Sequence, residues 1–180
     1  MKKLTVFLLL LVLAVGCVSC GGSVNDDELL SALEELAPKA HELYVIIYGD
    51  ATPHDDTESG SYYKVSEDAV YHSINEMKAA MLEVFSPSYA QVLYNTAFNN
   101  ASIDDGTMIY AKFIEKEDGL YVNPSATEGF ASPRTFNLTG ASVVKKNPYK
   151  ATISIPTEDG SHEVTMQKVN GVWLIDTPLF

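Results

Sequence analysis

Four histidines are spread along the 180-residue chain, at His41, His54, His72 and His162. No two have the spacing by which a helix or hairpin gathers metal ligands. The densest group of hard donors is His54-Asp55-Asp56 with Glu58. It lacks the ligand series of an EF-hand loop, and a solvated acidic loop is the plainer reading. No metal and no cofactor are therefore expected. There is no Gly-x-Ser-x-Gly elbow and no glycine-rich phosphate loop. A Ser-His-Asp triad assembled in space has nothing in the sequence to support it. Asp104-Asp105-Gly106 stands out because it joins a helical half to a strand-rich half. Its paired carboxylates could face a basic or donor-rich partner, or could simply form a turn. Arg134 is the only arginine. Its forked guanidinium suits carboxylates, either in an internal salt bridge or at a binding surface. Tyr62, Tyr63, Tyr110 and Tyr121 could line a cleft mouth, although tyrosine is also a common strand residue. For isomerase-like chemistry, which needs a buried carboxyl or tyrosine, Asp176 and Tyr110 are the only candidates.

The cysteines carry a different chemistry. Lys2 and Lys3 precede a run, Leu4 to Ala14, that is apolar apart from Thr5, followed by Val15, Gly16 and Cys17, with Cys20 close behind. A basic start, a short apolar stretch and small residues before a cut describe a secretory signal. The run is shorter than the roughly 20 residues of a membrane-spanning helix. Ala14-Val15-Gly16-Cys17 resembles the bacterial lipobox, with Ala14 in place of the usual leucine. That resemblance implies a cut before Cys17 and a lipid on its sulfur, with Cys20 as the alternative site. The expected organisation is a signal peptide over 1–16, a lipidated tether over 17–25 and one domain over 26–180. The protein is expected on the outer face of the cytoplasmic membrane, held by palmitate-type chains. The eight residues Val18 to Asn25 of that tether span at most roughly 28 Å.

Composition narrows the partners. The chain has 24 acidic and 12 basic residues; without Lys2 and Lys3 the net charge becomes −14. Such a surface repels nucleic acid, and a charged partner should be basic. With only Cys17 and Cys20 there is no disulfide framework, so the fold must rest on its apolar core.

The elements that would position these groups follow from periodicity. Leu29, Leu33, Leu36, Ala40, Leu43 and Ile47 form one helical stripe within Asp26 to Tyr48, with a break or kink expected near Ala37 because of Pro38 and an end at Gly49. Tyr62 to Val65 reads as a short strand. Ser73-Ile74-Asn75-Glu76 is a capping box, and Ser86-Pro87 starts a further helix to about Phe98. Met81, Tyr89 and Tyr94, at helical spacing, read as core. Beyond Thr107 the period changes to two. Strands are expected at Thr107–Glu115, Leu120–Val122, Arg134–Leu138, Ala141–Lys146, Lys150–Pro156, His162–Val169 and Val172–Asp176. Turns are expected at Asp118-Gly119, Asp159-Gly160 and Asn170-Gly171, and Trp173 belongs to the core. Helices followed by hairpin-linked strands predict an α+β fold, with one long curved antiparallel sheet wrapped on the helices.

Several stretches together resemble a family of Firmicutes lipoproteins, the peptidoglycan DL-endopeptidase inhibitors. They are Ser73 to Lys78 with Phe85-Ser86, Met108 to Phe113, Arg134-Thr135-Phe136, and Gly171 to Pro178. The closing strand is also similar to the last strand of cystatin/NTF2-like folds. The resemblance implies a non-catalytic, monomeric binding protein that blocks a hydrolase of the NlpC/P60 type through a loop beside a cleft. Asp104, Asp105 and Gly106 are the expected contact, with Tyr110 and Arg134. The alternative is a small-molecule or isomerase-like pocket inside a sheet cone, an analogy of fold alone.

Overall fold

The computed structural model describes residues 24–55, 60–102, 106–127, 133, 137–158 and 160–179. Within them the chain is α+β. Helix α1 is Asp26–Tyr48, α2 is Ile74–Val84 and α3 is Pro87–Phe98. The strands are β1 (Tyr63–Lys64), β2 (Ala101–Ser102), β3 (Met108–Ile109), β4 (Phe113–Lys116), β5 (Gly119–Val122), β6 (Ser142–Lys146), β7 (Lys150–Thr157), β8 (Gly160–Val169) and β9 (Val172–Ile175). A 3-10 turn, Pro124–Thr127, follows β5.

Helix α1 starts where local chemistry allows it to. Asn25 caps it, its side chain accepting a hydrogen bond from the Asp27 amide at 3.2 Å, and three carboxylates occupy the positive first turn. The expected stripe is the buried one, with Tyr44 added to it. The expected break at Pro38 does not occur, and the helix runs through it. Pro38 lies on the exposed face, opposite Leu36 and Ala40, so water can satisfy the Glu34 carbonyl that the proline leaves without a donor. Gly49 does end the helix, but for a reason of space. Its φ is −101°, which any residue adopts, whereas a Cβ there would sit 2.6 Å from the Val45 carbonyl oxygen.

The caps of α2 and α3 follow the expected pattern. Ser73 Oγ accepts from the Glu76 amide at 3.1 Å, while Glu76 reaches back one residue further than expected, to the His72 amide at 2.7 Å. Ser86 Oγ accepts from the Tyr89 amide at 3.2 Å with Pro87 at the first helical position. Met81 and Tyr89 are buried and Tyr94 is half-buried.

The strands do not form one sheet. Among the described residues they make a three-stranded sheet ordered β1-β5-β4, a two-stranded hairpin β2-β3, and a four-stranded sheet ordered β6-β7-β8-β9, all antiparallel. The strand expected over Thr107–Glu115 is interrupted between β3 and β4. There the Ala111 amide is taken by Asn100 Oδ1 at 2.8 Å and the Ala111 carbonyl by the Tyr62 hydroxyl at 2.7 Å. Side chains thus satisfy the backbone groups that a continuous ladder would have used. Of the strand expected over Arg134–Leu138, Asn137 and Leu138 are not in a strand, and Arg134 to Phe136 lie outside the described residues.

The four-stranded sheet closes the core. Ile153, Ile155, Val164, Met166, Trp173 and Ile175 are buried with the stripe of α1 and with Met77, Met81 and Leu93. Its last hairpin has the expected turn. Val169 pairs with Val172, and Asn170 and Gly171 have φ of +51° and +88°, the signature of a two-residue turn with positive φ at both centres. Phe85 bridges Ile175 in parallel, and the Ser86 amide donates to the Ile175 carbonyl at 2.8 Å, which sews the α2–α3 junction to the edge strand.

Candidate partner-binding groove

The residues Met108, Ile109 and Tyr110 are consecutive and all exposed, at 47, 36 and 56%. In a strand with one buried face, every second side chain should turn inward. None does, because β3 pairs only with β2 and both strands of this hairpin face water. The three residues line a groove of about 420 Å³ together with Gly60, Ser61, Tyr63, Asn123, Ser125 and Ala126.

Hydrogen bonds tie together the residues next to the groove lining. The Tyr62 hydroxyl grips Ala111, and the Asn123 amide donates to the Lys112 carbonyl at 2.7 Å. Burial pushes the Tyr62 phenol up, partly offset by a hydrogen bond with Asn123. Directly after the exposed run the chain dives inward. Lys112 is 1% exposed, and its ammonium donates to the Gly49 carbonyl at the end of α1. Burial lowers its pKa to about 8, with the charge of Asp50 pulling the other way. Lys112 therefore ties the root of the hairpin to the negative end of the long helix.

The groove's described lining offers hydroxyl, amide and apolar groups, and no ionisable side chain other than its two tyrosines. Such a surface can seat an extended segment by apolar contact and hydrogen bonds. Gly106, with φ of +84° and open space around it, is exposed in the connection between β2 and β3. Asp104 and Asp105 belong to the same connection and lie outside the described residues, as do Arg134, Cys17 and Cys20.

Of the tyrosines expected at a cleft mouth, Tyr63 and Tyr110 line the groove and Tyr62 braces it. Tyr121 is buried, its hydroxyl donating to Asp118 at 3.0 Å. His54 is bridged to Val65; Asp56 and Glu58 lie outside the described residues, and no cluster of three metal-ligating side chains occurs among the described ones.

Asp176 is not a poised acid. Burial works to raise its carboxyl, but hydrogen bonds from Lys150, Ser86 and Ser88 outweigh this and hold it below the ordinary carboxylate range. The Lys150 contact is 2.8 Å and the Ser88 contact 2.9 Å, with Ser86 on the same oxygen. Asp176 thus fastens α3 to the sheet. Tyr110 lies on the exposed rim of the groove, so these two candidates share no pocket.

Sequence reasoning missed Met108, Ile109, Lys112 and Asn123. The available signal was three large apolar residues in a row followed by a lone lysine before Phe113. Among the described residues no helix is long and apolar enough to cross a membrane. No known family model, no curated protein and no solved structure matches the chain.

Proposed function

We propose that this is a membrane-anchored, extracytoplasmic, non-catalytic binding protein that restrains a peptidoglycan DL-endopeptidase of the NlpC/P60 type. The observation that carries the reading is the projecting β2–β3 hairpin. It presents Met108, Ile109 and Tyr110 to solvent beside an open groove, with the Asp104-Asp105 pair in its connecting loop. Large exposed apolar side chains beside polar groups mark surfaces made to meet another protein. The acidic loop would enter the hydrolase's substrate groove, where the carboxylates of a wall peptide normally sit. The lipobox-like Ala14-Val15-Gly16-Cys17 supports placement at the outer membrane face, with Cys17 as the lipidated residue. The finer fold assignment, cystatin/NTF2-like, is supported by the long helix laid against a hairpin-built antiparallel sheet.

Titration of the protein against a purified DL-endopeptidase should slow hydrolysis at micromolar concentration. Asp104→Ala combined with Asp105→Ala should raise the inhibition constant and flatten its salt dependence, since exposed interface charges act mainly on association. The thermal midpoint should stay unchanged. A pair that serves only as a turn would instead lose stability and keep full inhibition. If the wild-type protein inhibits no such enzyme, the reading fails.

A further inference from the structure

One end of the four-stranded sheet combines three features that occur together nowhere else among the described residues. The first is exposure of apolar and aromatic tips. Tyr149, in the β6–β7 turn, is 73% exposed; Val172, at the β8–β9 turn, is 59% exposed; Val144, where the β6–β7 register slips, is 54% exposed. Both turns lie at the same end, because Lys150 pairs with Gln167 and the Lys168 amide donates to the Tyr149 carbonyl at 2.8 Å. The Tyr149 tip is built rigidly: Asn147 Oδ1 accepts from the amides of Tyr149 and Lys150 at 2.9 and 2.8 Å.

The second feature is the arrival of the chain. Val24 packs on the core at this end, and Lys146 Nζ holds its carbonyl at 2.8 Å and Asp26 at 2.6 Å. Glu28 is held by Lys168 at 3.0 Å and by the Trp173 indole at 2.9 Å. The six residues between Cys17 and Val24 bridge at most roughly 25 Å. The third feature is charge. In a strongly acidic chain, the carboxylates Asp26 and Glu28 at this end each have a lysine partner, Lys146 and Lys168, and Lys145 in the same strand as Lys146 is exposed. The opposite end of the sheet exposes Glu158 and Glu163.

We infer that this sheet end is a second, lipid-facing contact, with Tyr149, Val172 and Val144 resting in the bilayer interface beside the anchor. Tyrosine favours that interface because its ring is apolar and its hydroxyl polar. An anionic leaflet repels the acidic faces and tolerates the neutralised one, so charge and apolar contact select the same orientation. The inference rests on the anchor reading of Cys17, and its test separates the two.

The test uses the full protein in vesicles of mixed phosphatidylglycerol and phosphatidylethanolamine. A nitroxide on a keto side chain replaces Tyr149, Val172 or Glu158 in turn, which leaves both native cysteines intact. Each replaced residue is exposed, and circular dichroism checks the fold. Flotation with vesicles reads the anchor. Relaxation by oxygen against a water-soluble nickel chelate reads the pose. Labels at 149 and 172 should favour oxygen and the label at 158 the chelate. If the protein floats and all three labels favour the chelate, the lipid-facing inference is overturned while the anchor stands. If it does not float, both fall.

Discussion

Lys112 offers a direct measure of the groove's foundation. The folded protein releases its proton at about 8, against 10.5 ordinarily. Between those values the unfolded chain binds more protons than the folded one, so stability rises with pH, by at most 1.36 kcal/mol per unit. Allowing for partial titration at both ends, the rise from pH 8 to pH 10 should be about 2 kcal/mol. Below pH 8 the penalty of burying the ammonium is fully present. Lys112→Met keeps the length and removes the charge, so its stability in urea should be nearly level across the same window. Other groups titrate alike in both proteins and cancel in the difference. The midpoint should move in wild type with little change in slope. Parallel pH profiles for the two proteins would refute the argument and would mean that Lys112 is solvated in the folded state.

Two further outcomes test the backbone. Gly49→Ala should lower stability by about 1–3 kcal/mol, because its Cβ must displace the Val45 carbonyl that closes α1; an unchanged thermal midpoint would show the helix end yields freely. Gly171→Val places a branched side chain at φ of +88° and should cost on the order of 1 kcal/mol or more, read as a lower urea midpoint.

What was legible in the sequence was local chemistry. The stripe of α1, the serine caps of α2 and α3, and the Asn170-Gly171 hairpin depend on residues within a turn or two of each other, and they formed as read. Pro38 was misjudged because a proline's cost depends on which side of the helix faces water, which tertiary packing decides. The strand over Thr107–Glu115 was misjudged because Asn100 and Tyr62, distant in sequence, take the backbone groups of Ala111. Lys112 was invisible for the same reason: its partner is the carbonyl of Gly49. The separation of the β2-β3 hairpin from the β1-β5-β4 sheet follows from that interruption. Asp104 and Asp105, expected where helices give way to strands, fall in the connection between β2 and β3 and outside the described residues, and the exposure of the neighbouring Met108 to Tyr110 run contradicts strand periodicity and could only be seen in space.

The contact between Trp173 and Glu28 joins residues 145 positions apart. Leu179 likewise reaches back to Tyr44 across 135. Closing a loop of that length costs roughly 4 kcal/mol of chain entropy before any contact repays it. Helix α1 is the first of the described elements to be made, yet it must wait for the last strand before its apolar stripe can be fully covered. Folding should therefore be slow for the chain's size and should begin in earnest only once the C-terminus is free. Any chain that has to cross a membrane unfolded would gain from that delay. While its final residues are still being added it has no finished core, and it remains a thread that a narrow channel can pass.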